Sequence, residues 1–312
     1  MSLVSRNPPK YIMSILELQI RTVLEKLSNN QHADLDVDPD TLETYIKEAT
    51  QEFEGALRKQ LFREPEPFRL RMSNIGRPSC QLQLDNTDTV AQTKNPMPYN
   101  HIMRMMLGDL SEVLVNLVIK LSGANITGAK TKVAWALDTD TVIEGEDDIE
   151  IDNKVYDVKS ASPWAYDNKW SRGWSSIASD DNFGYVGQLV GYAYGQNKEP
   201  GGWIVVNKST GEVSVIEFGM PVRDIKEVIK ECQQTAALIK ENKPFNRCFD
   251  DQEEEFNGNK TGNRRLPAVC GFCPHIRHCW PDAQLKPQAR SKAKNPRMYW
   301  YSHYKEENSN AV

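Results

Sequence analysis

The segment at residues 143–160 constrains this chain most, because it combines a strand pattern with acids at positions that strands usually give to apolar residues. It reads IEGEDDIEIDNKVYDVKS. Alternating side chains at residues 142–151 and 154–159 predict two short β-strands, and the turn-prone pair Asp152 and Asn153 between them predicts a β-hairpin. The chain is therefore expected to contain a β-sheet that carries acids on one face.

Three ionisable side chains of this hairpin form a candidate metal site. Asp148 is predicted on the first strand, and Asp157 and Lys159 on the second. Because side chains alternate along a strand, Asp157 and Lys159 share a face, with Val158 buried behind them. Paired carboxylates bind a hard cation such as Mg²⁺, which acidifies a bound water and neutralises charge on a phosphate, while a lysine can orient the nucleophile. The alternative is an exposed hairpin whose acids and lysine are only solvated.

The composition is that of an ordinary globular protein. Of the 312 residues, 39% are hydrophobic and 26% are charged, which allows one large domain with additions or two small ones. The net charge of −5 gives no global case for nucleic-acid binding, so any basic surface must be local. No apolar run approaches the ~20 residues of a membrane span, and the first residues lack a signal-peptide pattern. We therefore expect a cytoplasmic protein with no membrane partner.

Helical periodicity predicts two N-terminal helices and a third, more apolar helix. Apolar residues recur with helical spacing at residues 11–27 and 39–62, which we interpret as an appendage without chemistry of its own. Residues 101–121 form the most apolar helical stretch and are expected to lie against the sheet. Glu112 falls within this pattern, where a buried acid is costly unless it is paired or bound to a metal. The alternative for Glu112 is the polar edge of the helix.

An aromatic segment follows the hairpin, and a further helix follows that segment. Its aromatic residues are Trp164, Tyr166, Trp170 and Trp174. Lys169 and Arg172 lie among them, a combination suited to stacking on unpaired bases and contacting phosphates, although an aromatic core would look the same in sequence. We favour a substrate-contacting role. Residues 185–194 are predicted as a helix on which Gln188 and Tyr192, four residues apart, share a face.

Six cysteines in such a chain are more typical of metal ligands than of a disulfide framework. The candidate ligands are the C-x₂-C-x₅-C residues Cys270, Cys273 and Cys279, with Cys80 as the fourth. Four sulfurs suit zinc or a [4Fe–4S] cluster, and their spacing does not decide between the two. In a zinc site, His275 or His278 can replace one sulfur. Cys232 and Cys248 are interpreted as ordinary thiols.

Together these motifs resemble the RecB-like nucleases of the PD-(D/E)xK superfamily. The resemblance is closest to iron–sulfur members, such as the CRISPR-adaptation nucleases and the AddB-type nuclease domain, and covers roughly residues 70–280. Gly108-x₃-Glu112 resembles the first motif of that family, in which a histidine often stands in place of Glu112. Gly145-x₂-Asp148 resembles the motif that carries the central aspartate.

The remaining motifs follow in the family's order. Asp157-Val158-Lys159 resembles the (D/E)xK triplet, and Gln188-x₃-Tyr192 is similar to the helical QxxxY motif of the RecB-like branch. The four candidate cysteine ligands are similar to the cluster-binding cysteines that clasp the two ends of the nuclease core. Each motif alone is weak, whereas five in the same order and spacing are specific.

The resemblance implies an α/β fold with a mixed central β-sheet flanked by helices. A PD-(D/E)xK nuclease core closed by the Cys₄ cluster would span residues 67–280, between an N-terminal helical appendage at residues 1–66 and a basic, aromatic tail at residues 281–312. The implied ligands of one or two Mg²⁺ or Mn²⁺ ions are Glu112 (with His101 as the alternative), Asp148, Asp157 and the Val158 carbonyl. Lys159 would activate the attacking water, and Gln188 and Tyr192 would support the site or the DNA backbone.

The implied activity is a metal-dependent DNA exonuclease that acts on single-stranded ends in recombination, repair or replication. Two alternatives stay open, namely a structure-specific or nicking endonuclease and a zinc-stabilised protein that binds DNA without cutting it. The expected partners are single-stranded or end-containing DNA and a helicase or recombination protein. The expected setting is the cytoplasm or nucleoid, with a phage gene as one source.

Overall fold

The computed structural model describes residues 13–64, 67–87 and 99–305, except for the side chains of residues 222 and 223. The chain divides into two compact units. The larger comprises the described residues of Met1–Gly76 and Tyr99–Gln234, and the smaller those of Arg77–Pro98 and Thr235–Val312. This division differs from the predicted one, because residues 1–66 share a unit with most of the predicted nuclease core.

Ten α-helices, two short 3₁₀ helices (His32–Asp34 and Trp170–Arg172) and eleven strands are described within these ranges. The helices are α1 (Ile15–Ser28), α2 (Pro39–Leu61), α3 (Ser79–Asp85), α4 (His101–Leu121), α5 (Pro163–Asn168), α6 (Trp174–Ser179), α7 (Tyr185–Gly195), α8 (Val222–Lys240), α9 (Ala268–Phe272) and α10 (Ile276–Cys279). The strands are β1 (Ile126–Ala129), β2 (Lys132–Ala136), β3 (Val142–Glu146), β4 (Ile149–Ile151), β5 (Lys154–Ala161), β6 (Glu199–Asn207), β7 (Val213–Glu217), β8 (Gln252–Phe256), β9 (Asn259–Arg265), β10 (Gln284–Pro287) and β11 (Met298–His303). Among the described residues, no helix is both long enough and apolar enough to span a membrane.

A five-stranded mixed sheet forms the centre of the larger unit. Its strand order is β1-β4-β5-β6-β7. The β5–β6 pair is parallel, with α7 in the connection between the two strands, and the other pairs are antiparallel. Parallel neighbours need such a crossover because a tight turn cannot join them. The α/β class, with a mixed central sheet and flanking helices, is as predicted.

One face of this sheet is buried against α1 and α4. The cluster contains Leu16 and Ile20 from α1, Ile119 from α4, and Val158 and Ile204 from the sheet. Ile119 and Ile204 are fully buried. Helix α1 is therefore part of the main core and not a separate appendage, because the apolar stripe predicted from its periodicity covers the sheet itself.

The strands of the acidic hairpin have different boundaries from those predicted. Strands β4 and β5 do pair as a hairpin, and both turn residues, Asp152 (φ 50°) and Asn153 (φ 61°), adopt the left-handed backbone of a type I′ turn. The predicted first strand, residues 142–151, is two strands, however. Strand β3 pairs with β2 in a separate two-stranded sheet, and β4 belongs to the central sheet.

The smaller unit contains a four-stranded sheet in the order β10-β11-β9-β8. Residues 281–312 were predicted as a tail, but their described part supplies β10 and β11. Strands β8 and β9 form an antiparallel hairpin across Asn257 and Gly258, both of which have positive φ. Buried Leu266, Ile276 and Ala283 form the small core of this unit.

Candidate active site and cysteine site

Strand β5 presents an acid and a lysine on the face opposite to its core residue. Asp157 is only 3% exposed, and Lys159 Nζ donates a hydrogen bond to Asp157 Oδ1 at 2.8 Å and lies 2.6 Å from Oδ2. Val158, between them, points into the core cluster. The prediction that Asp157 and Lys159 share one face is confirmed.

Burial makes Asp157 unusual electrostatically. Removal from water, reinforced by the nearby charge of Asp148, raises the pKa of Asp157 to about 7 despite the opposing effect of Lys159. For Lys159, burial lowers the pKa, but the charges of Asp157 and Asp148 outweigh burial and the net change is upward. Asp157 Oδ2 is buried, and the Lys159 ammonium is the cation that lies against it.

Asp148 lies beside this pair on a bend and not on a strand. It falls between β3 and β4, and its Oδ2 accepts a hydrogen bond of 2.7 Å from the backbone N–H of Val158. The strand is interrupted because its neighbour Asp147 is buried and fixed by other partners. Asp147 accepts hydrogen bonds from the Thr131 N–H at 2.8 Å and from Gln196 Nε2 at 2.7 Å.

Glu112 reaches the site through a lysine that the sequence did not single out. The Lys130 ammonium contacts Glu112 Oε1 and lies 4.0 Å from Asp148 Oδ1, so it stands between the two carboxylates. Lys130 has a left-handed backbone (φ 53°) between β1 and β2. Nothing in the sequence distinguishes it from Lys132, two residues later. His101, the alternative ligand, is the first residue of α4 and lies roughly 16 Å along the helix axis from Glu112.

Helix α7 supplies the last two predicted residues. Gln188 Nε2 donates a hydrogen bond of 3.1 Å to Asp157 Oδ1. Tyr192 is buried, and a Cβ added at Gly145 would lie 2.8 Å from its hydroxyl oxygen. Burial, followed by the charges of Asp148 and Asp157, raises the pKa of Tyr192. Gln188 and Tyr192 therefore face the acids together, as their spacing predicted.

The six predicted residues thus form one connected group in the larger unit. The links run from Glu112 to Asp148 through Lys130, and from Asp148 to β5 through a backbone N–H. Asp157 is linked to Lys159 and Gln188, and Gln188 is hydrogen-bonded to Tyr192. Across the described ranges, however, no three histidine, cysteine or carboxylate side chains are arranged as a metal-binding group.

Most of the aromatic segment belongs to the core. Trp170 is buried, and Trp174 stacks parallel to Trp203 with ring centroids 6.1 Å apart. Tyr166 is buried and its hydroxyl lies 2.6 Å from Ser214 Oγ. The preference for substrate contact was therefore wrong for these three predicted residues. Trp164 differs from them, because it is 63% exposed.

The smaller unit brings five thiols together instead of the predicted four. The fifth is Cys248, whose Sγ accepts a hydrogen bond of 3.1 Å from the Cys80 N–H. Burial, followed by the charges of Cys273, Cys279 and Cys248, raises the pKa of Cys270 to about 12, and burial followed by Cys273 raises that of Cys279 to about 11. All five are free thiols. The sequence interpretation of Cys248 as an ordinary thiol was therefore wrong, because its neighbour Cys80 lies 168 residues away in the chain.

The two histidines near the cysteines have other partners. His275 is 1% exposed, and its Nε2 lies 2.8 Å from Asp85 Oδ1. His278 meets the Phe245 ring edge-on, with centroids 5.9 Å apart. Neither contact is to a cysteine. Nδ1 of His275, however, is buried without a hydrogen bond to any described residue, so a site of three sulfurs and this histidine stays an alternative to the four-sulfur set.

Comparison with known proteins adds little. No family model and no curated protein matches the chain. Among solved structures, it is similar to one described as "Crystal structure of SSO0001", with a TM-score of 0.39 and 16% sequence identity over 73% of this chain and 93% of that one. A similarity of this size supports no inference, so the proposals below depend on the chain's own residues.

Proposed function

We propose that the larger unit is a metal-dependent deoxyribonuclease with a RecB-like PD-(D/E)xK core, and that it acts as an exonuclease on single-stranded DNA ends. The single observation that supports this best is the Asp157–Lys159 pair, buried on one face of β5. Gln188 holds one oxygen of Asp157, and Asp148 is hydrogen-bonded to the backbone between the pair. Such a cluster is costly to bury and is typical of functional sites.

The donor set suits one or two Mg²⁺ or Mn²⁺ ions. These ions prefer oxygen ligands, and the candidates are Glu112, Asp148, Asp157 and the Val158 carbonyl. Two observations support the fit. Asp157 already holds one cation, the Lys159 ammonium, and Glu112 and Asp148 share another, the Lys130 ammonium. When bound, the ion would acidify a water and neutralise charge on the phosphate.

The protein's own groups would orient this reaction. Hydrolysis adds a water oxygen to phosphorus and breaks one P–O bond, leaving a phosphate on one product and a hydroxyl on the other. Lys159 would orient the attacking water and offset the negative charge that develops on the phosphate. Gln188 and Lys159 together would fix the orientation of the Asp157 carboxylate. The raised pKa of Tyr192 keeps its phenol neutral, as a donor beside the acids.

Cleavage assays of matched variants test this function. End-labelled single-stranded DNA is incubated with Mg²⁺ or Mn²⁺, and Asp157→Asn and Lys159→Gln should each lower the rate at least about a hundredfold while DNA binding persists. Two controls lie on the same hairpin. Lys154→Gln changes a lysine at the exposed start of β5, and Asp152→Asn changes an exposed turn acid. Unchanged cleavage in the site variants would refute the assignment.

The same assay separates the open alternatives. An exonuclease degrades linear DNA and spares covalently closed circles, whereas an endonuclease cuts both. A protein that binds DNA and cuts neither would be the zinc-stabilised binder. A helicase or recombination protein is the partner class that would supply single-stranded ends to an exonuclease.

We further propose that Cys80, Cys270, Cys273 and Cys279 hold a [4Fe–4S] cluster, with structural zinc as the alternative. The support is that these thiols lie near one another in the smaller unit. Cys273→Ser should lose bound iron, acid-labile sulfide and any brown colour, whereas Cys232→Ser, a buried thiol of the larger unit, should keep them. Zinc without iron in the purified protein would favour the alternative.

A further inference from the structure

The sheet of the smaller unit has a strong charge gradient from one edge to the other. Residues 283–305, which include β10 and β11, contain six lysines and arginines and no acid, although the whole chain has a net charge of −5. At the opposite edge, β8 carries three consecutive glutamates, Glu253, Glu254 and Glu255. A local basic surface of this kind attracts polyanions in a protein that is acidic overall.

The two faces of β11 have different surroundings. Trp300 packs against the small core that contains Leu266 and Ile276, on the side of the cysteines, where a Cβ added at Gly271 would lie 3.6 Å from its ring. Because side chains alternate along a strand, Tyr299 points to the other face. There it lies opposite Lys286 of β10 in the antiparallel register.

Cations surround the Tyr299 ring on that face. The guanidinium carbon of Arg265 lies 4.5 Å from the ring centroid, and that of Arg297 lies 5.2 Å from it. Arg265 belongs to β9, so the group extends over three neighbouring strands. An arginine that stacks on a ring uses its flat face, whereas it binds phosphate through the N–H groups at its edge. One arginine can therefore stack on the ring and bind a phosphate at the same time.

We propose that this group, Arg265, Lys286, Arg297 and Tyr299, all of the smaller unit, is a binding surface for single-stranded DNA. We call it the Tyr299 face. Tyr299 is half-buried, and the two guanidiniums lie over its ring. Their N–H edges can bind phosphates, and unpaired bases can stack on guanidinium planes, so the group suits single-stranded DNA. Only the choice of DNA as the polyanion rests on the proposed nuclease function. The charge gradient and the ring contacts do not depend on it.

The test measures binding of fluorescein-labelled oligo(dT) by anisotropy over a range of salt concentrations. All proteins carry Asp157→Asn and no divalent ion is added, so cleavage cannot interfere. Loss of two phosphate contacts in Arg265→Gln/Arg297→Gln should reduce the slope of log K against log[salt] by about 1.4, and should weaken binding roughly tenfold at about 0.15 M salt. Arg297→Gln alone should reduce the slope by about 0.7.

Two controls isolate the charge of this face. Arg265→Lys/Arg297→Lys keeps both charges and should retain most of the salt slope. Lys260→Gln removes a cation from the same sheet that is ion-paired with Glu253 at 2.5 Å, and should change nothing. Because Arg297 is exposed, its single variant keeps the test valid if the double variant fails to fold.

The outcomes separate this inference from the nuclease proposal. An unchanged salt slope and affinity in Arg297→Gln and in the folded double variant would overturn the Tyr299 face, even if the wild-type protein cleaves DNA. So would a parent protein, with Asp157→Asn alone, that does not bind oligo(dT). The predicted slope changes in a protein that never cuts DNA would support the Tyr299 face and refute only the nuclease.

Discussion

Replacing Asp157 by asparagine should change how the stability of the protein depends on pH. In the folded protein burial raises the pKa of Asp157 from its ordinary value of 3.8 to about 7. Between these pH values the folded state keeps a proton that the unfolded state has lost. The contribution of Asp157 to the free energy of unfolding is therefore fully present below about pH 4 and is lost as the pH rises to about 7. Asparagine cannot ionise, so the stability of the variant does not fall with pH for this reason.

The size of the effect follows from the pKa difference. About three pKa units correspond to about 4 kcal/mol, so the free energy of unfolding of Asp157→Asn relative to wild type should rise by up to about that amount between pH 4 and pH 8. The variant also deprives Lys159 of its nearest carboxylate. That cost stays nearly constant over this range, because the raised pKa keeps Lys159 protonated.

Urea unfolding of the metal-free protein, followed by tryptophan fluorescence at several pH values, measures this difference. Wild type and Asp157→Asn share every other titrating group, so the contributions of groups distant from Asp157 cancel in the comparison. Asp152→Asn, at the exposed turn of the same hairpin, should follow the wild type at every pH. If Asp157→Asn and wild type lose stability in parallel as the pH rises, Asp157 is not a buried acid of raised pKa, and the electrostatic reasoning fails.

Two further substitutions test the surroundings of the site, one through its Mn²⁺ affinity and one through the stability of the protein. Lys130→Gln removes the ammonium that competes for Glu112, so Mn²⁺ affinity measured by titration should rise roughly two- to fivefold, as the ~0.5–1 kcal/mol of a partly exposed ion pair predicts. Exposed Lys132→Gln should have no effect, and weaker Mn²⁺ binding in Lys130→Gln would contradict this role. Gly145→Ala places a Cβ 2.8 Å from the Tyr192 ring and hydroxyl, and should cost about 1–3 kcal/mol in urea unfolding. Gly55→Ala, in an open helical position, should instead stabilise by up to about 1 kcal/mol, and equal effects of the two would refute the packing argument.

The central sheet was predictable because its signals are local. The alternation around Asp157 and Lys159 determines which side chains share a face, and the four-residue spacing of Gln188 and Tyr192 does the same on a helix. Turn chemistry located the hairpin at Asp152. Each of these inferences depends on backbone geometry that a few neighbouring residues determine by themselves.

The interruption between β3 and β4 was not predictable from alternation. The buried carboxylate of Asp147 is satisfied by Thr131 and Gln196, which are 16 and 49 residues away in the chain. The sequence gives no sign of either partner. Asp148 is therefore displaced from a strand to a bend, although it remains next to β5.

Non-local pairing also explains the other differences. The acidic sequence of β8 is more typical of a loop than of a strand. Glu254 is nevertheless buried, because its carboxylate accepts hydrogen bonds from Tyr301 and Asn263 that offset the cost of burying its charge. Cys248 is 168 residues from Cys80 in the sequence and contacts it only in the fold. Lys130 likewise reaches Glu112 through tertiary structure alone.

The most direct test of the central claim is Mn²⁺ binding followed by electron paramagnetic resonance, in the wild-type protein and in Glu112→Gln, Asp148→Asn and Asp157→Asn. If these acids share ions on one face of the sheet, the wild type should bind one or two Mn²⁺ and each variant should lose affinity at least about tenfold, with Asp152→Asn unchanged. A wild type that binds no Mn²⁺, or three site variants that bind it as tightly as the wild type does, would contradict the claim.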